Sequence, residues 1–226
     1  MRKIILDTET TGLDFEKDKI IEVGCVEILN DVPTGKTFHS YFNPGDRAIS
    51  QQAEEVHGLS NKFLKDFDYF EGKADEILNF VADSLIIIHN AAFDLTMINN
   101  ELKNSKRTLI NESQVFCTLL MARKKFPGTK VNLNALCKRF GISIGNRIKH
   151  DAITDCFLLA QVYLELIGGK QHKLSFKPDN HKEKNYLKQS KNVEIKNTKK
   201  IELQDYELEL HSKSLRKIKK AIWLNK

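Results

Sequence analysis

The run Leu85-Ile-Ile-Ile88 places four apolar residues in a row between Ser84 and His89-Asn90. A strand that short and uniformly apolar leaves no face for water. It predicts a place at the centre of a sheet covered on both sides, as in α/β proteins. The neighbouring segments fit that demand. Residues 2–6 (RKIIL) lead apolar into Asp7 and break at TETTG, which predicts a buried strand ending in a Gly turn. Residues 20–29 and 36–42 read as two more strands, giving an antiparallel meander. Residues 74–82 are weakly helical, and 92–102 carry Phe93, Met97, Ile98 and Leu102 at helical spacing. Residues 114–117 predict a strand running into a helix that ends near Lys125. Asn132 caps a helix with Leu133, Leu136, Cys137 and Phe140 on one face. Residues 151–167 form the strongest helix, closed by Gly168 and Gly169. Three meandering strands followed by alternating strands and helices describe one α/β domain over residues 1–169.

Composition narrows the class. Apolar residues make up 41% of the 226, and aromatics 8%, which is enough for a core. No run approaches the ~18 apolar residues of a membrane helix. Asp7 interrupts the opening MRKIILDTET too early for the apolar region of a signal peptide. Cys25, Cys117, Cys137 and Cys156 form no CxxC pair and lie in apolar contexts, which suits a reducing cytoplasm rather than a disulfide framework or a zinc site. The net charge of +6 is uneven. Residues 170–226 hold 16 Lys and Arg against 7 Asp and Glu, so +9; residues 1–169 hold 20 against 23, so −3. The basic tail reads either as a segment that finds a polyanion or acidic partner, or as the Lys and Asn usage of an A+T-rich genome. Residues 177–200 are polar, and the stretch 170–200 reads as a flexible linker. In 201–226, Leu208, Leu215 and Ile222 recur every seven residues beside Leu210, Ile218 and Trp223. That is an amphipathic helix, or two short pieces, too small to fold alone.

Chemistry enters at the ends of these elements. Asp7 and Glu9 are two apart on a strand, so both carboxylates emerge on one face, where a cation would relieve their repulsion. Alone, the pair also reads as a surface turn with incidental acids. Asp94 follows His89-Asn90-Ala91-Ala92-Phe93 at a helix start, and by itself reads as an acid on the helix dipole. His150 and Asp155 are five residues apart, a rotation of ~500° on a helix. They can share a site only if His150 stays in the approaching loop while Asp155 rides on the helix. Together, four carboxylates carry a charge that two divalent cations balance. Oxygen-only ligands favour Mg²⁺ or Mn²⁺, and a nearby His can take a proton from an attacking water. Paired ions of this kind serve phosphodiester hydrolysis.

At these residues the chain resembles a known family. Asp-x-Glu, then the Asp of HNxxFD, then His-x4-Asp look like the DEDDh 3′→5′ exonucleases. The motifs are IILDTETTGL (4–13), KIIEVGCVEI (19–28), VHGLS (56–60), IIHNAAFDLTMINNEL (87–102), LNALCKRFGI (133–142) and HDAITDCFLLAQVYLEL (150–166). Within the family they look like the proofreading (epsilon) branch of bacterial DNA polymerase III. The resemblance implies a ribonuclease-H-like fold, with a mixed central sheet flanked by helices. It makes Asp7, Glu9, Asp94 and Asp155 the carboxylates that hold two divalent ions, of which Asp7, Glu9 and Asp155 also contact the substrate, and His150 the general base. It assigns His57 to substrate contact. The neighbouring Gln52 stands where the family commonly has Glu, which puts that one contact in question.

The resemblance extends into the tail. Gln171, Leu174 and Phe176 look like the Gln-x-x-Leu-x-Phe peptides that dock on sliding clamps. Without it, they are a linker with two apolar residues. Residues 207–224 look like the segment that binds the polymerase catalytic (alpha) subunit, with Leu215, Ile222 and Trp223 as anchors. A free-standing RNA- or tRNA-trimming nuclease is the competing enzyme, and a non-catalytic clamp- or polymerase-binding scaffold the competing class. The long tail speaks against the first, and the complete set of five residues against the second.

Overall fold

In the computed structural model, β1 (Arg2–Thr10) lies at the middle of a five-stranded mixed sheet. It pairs antiparallel with β2 (Ile20–Leu29) and parallel with β4 (Leu85–Ile88). Outside these lie β3 (Val32–Tyr41), antiparallel to β2, and β5 (Val115–Cys117), parallel to β4. The order is β3-β2-β1-β4-β5. The structure describes residues 1–145, 149–168 and 204–216. The chain divides into two units, Met1–Ser175 and Phe176–Lys226.

The period of two along each strand sorts side chains into two cores. Ile4, Leu6, Ile86 and Ile88 enter one, beneath α3 (Phe70–Val81) and α4 (Ala91–Asn104). Ile5, Val26, Ile28 and Ile87 enter the other, beneath α5 (Thr118–Lys125), α6 (Leu133–Phe140) and α7 (Ala152–Ile167). The Leu85–Ile88 run is apolar throughout because both its faces are packed. The mixed sheet flanked by helices expected from the sequence is therefore present.

Several boundaries differ from the sequence reading. β3 begins at Val32 rather than residue 36 and contains Pro33. An outer strand tolerates proline, because its N–H need not join a ladder. α3 begins at Phe70, and a 3₁₀ turn (Glu112–Gln114) precedes β5. Two helices between β3 and α3 carry no readable period: α1 (Gln51–His57) and α2 (Asn61–Leu64) each bury a single side chain, His57 and Leu64. Their starts are legible only as caps. Ser50 and Ser60 accept from the backbone N–H groups of Ala53 and Phe63. All four cysteines are free. In the second unit, α8 (Asp205–Arg216) has no buried residue; Leu208 and Leu210 are exposed and Leu215 is half-buried.

The start of α7 is fastened twice. Asp151 caps it, accepting from the N–H groups of Ile153 (3.0 Å) and Thr154 (3.1 Å). Gly24 on β2 lies directly beneath its first turn. A Cβ there would stand 2.6 Å from the Ala152 carbonyl carbon and 2.7 Å from the Ile153 nitrogen. The Cys156 thiol donates to the Gly24 carbonyl at 3.1 Å. Because the blocking atoms are backbone, the contact cannot be relieved by a rotamer change. Gly24→Ala is expected to destabilise the fold by about 1–3 kcal/mol, read as a lower urea midpoint with unchanged slope. An unshifted midpoint would show that α7 has freedom to move away.

Candidate active site

Beyond Leu6 the alternation of β1 continues in polar residues. Asp7 and Glu9 fall on the α7 side of the sheet with Ile5, and Thr8 on the α4 side. The β1–β2 register shifts between Glu9 and Thr10, which ends the regular ladder at the site. The turn from β4 into α4 passes through Asn90, held in the left-handed region at φ +66° and ψ +48°. Asn tolerates that conformation better than most residues. The turn sets Asp94 in the first turn of α4, 4% exposed. There the Thr8 hydroxyl donates to Asp94 Oδ1 at 2.8 Å. From the other side, α7 brings in Asp155, 3% exposed.

His150 stands in the loop before α7, and Asp155 on the helix. The ring Nδ1 lies 3.0 Å from Asp155 Oδ2, and the His150 backbone N–H donates to the Val56 carbonyl at 3.0 Å. Donor atoms of Glu9, His150 and Asp155 lie within 4.8 Å of one another. The structure groups Glu9, His150 and Asp155 directly, and Asp7 stands close enough to Asp94, Asp155 and Glu9 to feel their charge.

Their charge is costly to hold. Burial pushes the Asp7 carboxyl well above the usual carboxylate range, and the negative charges of Asp94, Asp155, Glu9 and Glu22 push it further. Burial likewise raises Asp94 to about 7, against the opposing Thr8 hydrogen bond. An all-oxygen set whose protonation is favoured by crowding is what a hard divalent cation would relieve. The donor set thus fits a hard divalent cation on chemistry as well as charge.

The substrate-contact positions diverge. His57 closes α1 and is 5% exposed; its Nδ1 accepts from the Leu59 N–H at 3.0 Å, and burial lowers its pKa. It lines a cavity of about 470 Å³ with His150, Lys149, Tyr41 and Glu22. Gln52 lies on the same helix but is exposed. Of the partner positions, Leu215 is on α8; Gln171, Leu174, Phe176, Ile222 and Trp223 lie outside the described residues. Sequence reasoning missed Thr8, whose place between Asp7 and Glu9 was its only signal. It also missed a second cluster, Glu22, His39 and Asp151, whose donor atoms lie within 4.8 Å of one another.

The family described as Exonuclease matches residues 4–163. The chain belongs to that family. Among its relatives, the DNA polymerase III subunit epsilon of Rickettsia conorii is 49% identical over 175 residues, covering 76% of each chain. That of Escherichia coli K12 is 42% identical over 178 residues, covering 75% of this chain and 72% of the relative. That of Buchnera aphidicola subsp. Baizongia pistaciae is 38% identical over 238 residues and covers 99% of this chain, so the similarity extends beyond the exonuclease match into the tail. Exonuclease X in complex with 5′ overhanging duplex DNA has the same fold at a TM-score of 0.58 and 24% identity, covering 74% of this chain and 91% of that one. Escherichia coli exonuclease I with a dA16 oligonucleotide shares it at 0.64 and 16%, covering 75% of this chain and 41% of that one.

The raised carboxyls of this exonuclease make its stability pH-dependent. In the folded, metal-free state Asp7 and Asp94 keep protons that the unfolded chain has already released. Their contribution is therefore present below the ordinary carboxylate range; that of Asp94 is lost as pH rises through about 7, and that of Asp7 as pH rises through its own raised value. Adding Mg²⁺ to metal-free protein is expected to raise Tm more at about pH 8 than at about pH 5.5. Scanning calorimetry in EDTA and in Mg²⁺ checks this; an equal or larger gain at the lower pH would contradict it.

Proposed function

We propose that this chain is the proofreading 3′→5′ exonuclease of a bacterial replicative DNA polymerase, releasing 5′-mononucleotides from DNA 3′ ends in the cytoplasm. The observation that carries the reading is the convergence of Asp7, Glu9, Asp94 and Asp155 with His150 at one end of the sheet. The four carboxylates would hold two divalent ions, Mg²⁺ or Mn²⁺. When bound, they supply Lewis-acid stabilisation of the charge that develops on the phosphoryl oxygens.

The chain's own residues handle the proton. With His150 Nδ1–H donating to Asp155 Oδ2 at 3.0 Å, the lone pair of the neutral ring lies on Nε2. Nε2 takes a proton from the attacking water, and Asp155 steadies the imidazolium that results. Water oxygen bonds to phosphorus as the bond to the 3′ oxygen breaks. The released nucleotide keeps its 5′ phosphate and the shortened strand regains a 3′ hydroxyl. The His150 N–H is bonded to Val56, the neighbour of His57, so the base and a substrate contact share one anchor on α1.

Three measurements test the reading. Asp7→Ala with Glu9→Ala is expected to abolish cleavage while the circular dichroism spectrum stays native, because neither side chain belongs to either apolar core. His150→Ala is expected to slow the chemical step about 10²–10⁴-fold, with little change in metal titration; a collapse of metal affinity would reassign His150 as a ligand. Mismatched 3′ termini should be cut faster than paired ones, because a mispaired end costs less to unstack. Equal rates on both would favour a general nuclease.

The tail carries the partner part of the proposal. Residues 1–169 supply the exonuclease, and 201–226 bind the polymerase catalytic subunit through Leu215, Ile222 and Trp223. Gln171, Leu174 and Phe176, within 170–200, add a clamp contact. Holding the nuclease beside the primer end raises its local concentration there. A 1–175 truncation and Trp223→Ala are expected to keep cleavage of free DNA and to weaken capture of the polymerase subunit. Unchanged capture by both variants would remove the tail from the interface.

A further inference from the structure

The Glu22 cluster lies one strand behind the active site and has a geometry of its own. Glu22 stands directly across the β1–β2 ladder from Glu9, and its residue is 1% exposed. Its Oε1 accepts from His39 Nε2 at 2.7 Å and from the Ala152 N–H at 3.3 Å. His39 lies opposite Gly24 in the β2–β3 register. Glu22, Gly24 and His39 thus share one face of the sheet, the face on which α7 begins.

The opening N–H groups of a helix have no partner within it. At α7, Asp151 serves the N–H groups of Ile153 and Thr154, which leaves that of Ala152. Glu22 serves it from the sheet. Burying a carboxylate for one such bond is an expensive solution, since an apolar residue of similar volume is often no less stabilising. Burial indeed raises the Glu22 carboxyl, and the His39 hydrogen bond opposes that shift. What an apolar residue could not do is fix the rotation and depth of the first turn. His150 lies two residues before Ala152 and Asp155 three after. The strand that carries Glu22 is paired with the strand that carries Glu9.

We propose that Glu22, held in place by His39, is a positioning residue for catalysis. It locks the first turn of α7 to β2, so that His150 and Asp155 meet each other and Glu9 at working distance. The proposal rests on the catalytic reading of His150 and Asp155, and names a device that sets their geometry from outside the reacting groups. The active requirement is the shape of the acceptor rather than its charge.

That requirement separates three variants of the full chain. Glu22→Gln keeps an oxygen of the same reach for Ala152 and His39. Glu22→Asp keeps the charge but withdraws the oxygen by one methylene, and Glu22→Ala removes it. In single-turnover cleavage of single-stranded DNA with saturating Mg²⁺, well below Tm, Glu22→Gln is expected within about threefold of the parent. Glu22→Asp and Glu22→Ala should fall about 10–100-fold in rate, with KM for DNA nearly unchanged. The NMR signal of the His150 Nδ1–H should follow the same order, retained in Glu22→Gln and lost in Glu22→Asp.

Glu22→Asp faster than Glu22→Gln would overturn the proposal in favour of a charge or metal-ligand role. A parent-like rate in both Glu22→Asp and Glu22→Ala, or a loss confined to KM, would also overturn it. If Glu22→Ala does not fold, the Gln and Asp pair decides alone. His150→Ala, run alongside, separates the two layers. Full activity there refutes the catalytic reading itself, whereas an inactive His150→Ala beside a parent-like Glu22→Asp refutes only the positioning role.

Discussion

Carboxylates brought together with little water repel one another, and that repulsion is what residues 1–168 are built to withstand. Burial raises Asp94 to about 7, and burial followed by the charges of its acidic neighbours pushes Asp7 well above the usual carboxylate range. A loosely held chain would relieve such crowding by moving apart. Here each acid is borne by an element that cannot yield alone. Asp7 and Glu9 ride on the strand hydrogen-bonded on both sides, Asp94 on the first turn of α4, and Asp155 on α7. The two cores on either side of β1 supply the apolar burial that offsets the electrostatic cost.

α7 bears more of this than its length suggests. It carries Asp155, it fixes the loop bearing His150, and its apolar face closes one core. Its first turn meets the sheet at Gly24, where no side chain fits, and at Glu22, where a buried acceptor waits. Position at the active site is therefore decided partly on β2 and β3, strands that contribute none of the four carboxylates. The tail stands apart from this logic. Among the described residues of its unit, α8 has none fully buried.

Much of the site was legible because local periodicity was enough. A period of two put Asp7 and Glu9 on one face, and the apolar Leu85–Ile88 run required packing on both faces of the sheet. The ~500° rotation between His150 and Asp155 demanded a loop followed by a helix, and that is where the two residues stand, 3.0 Å apart. Other features had no local signal. α1 and α2 each bury one residue, so no apolar stripe announced them. Glu22 lies in IIEVG, where an acid in a strand reads as its solvent face; only the docking of α7 above it makes it buried. Asp94 alone read as a dipole acid, and acquired its raised pKa from burial in the assembled fold.

The sequence by itself determined the type of most elements, the packing of the Leu85–Ile88 strand on both faces, and the family, because alternation, caps and motif order are properties of neighbouring residues; it did not make β1 rather than that strand the middle of the sheet. The tertiary structure alone decided how strongly the acids crowd and what holds them. Those depend on distances between segments such as Thr8 and Asp94 or Glu22 and Ala152, 86 and 130 residues apart in the chain. Only the packing of helices on both faces of the sheet brings such pairs into contact.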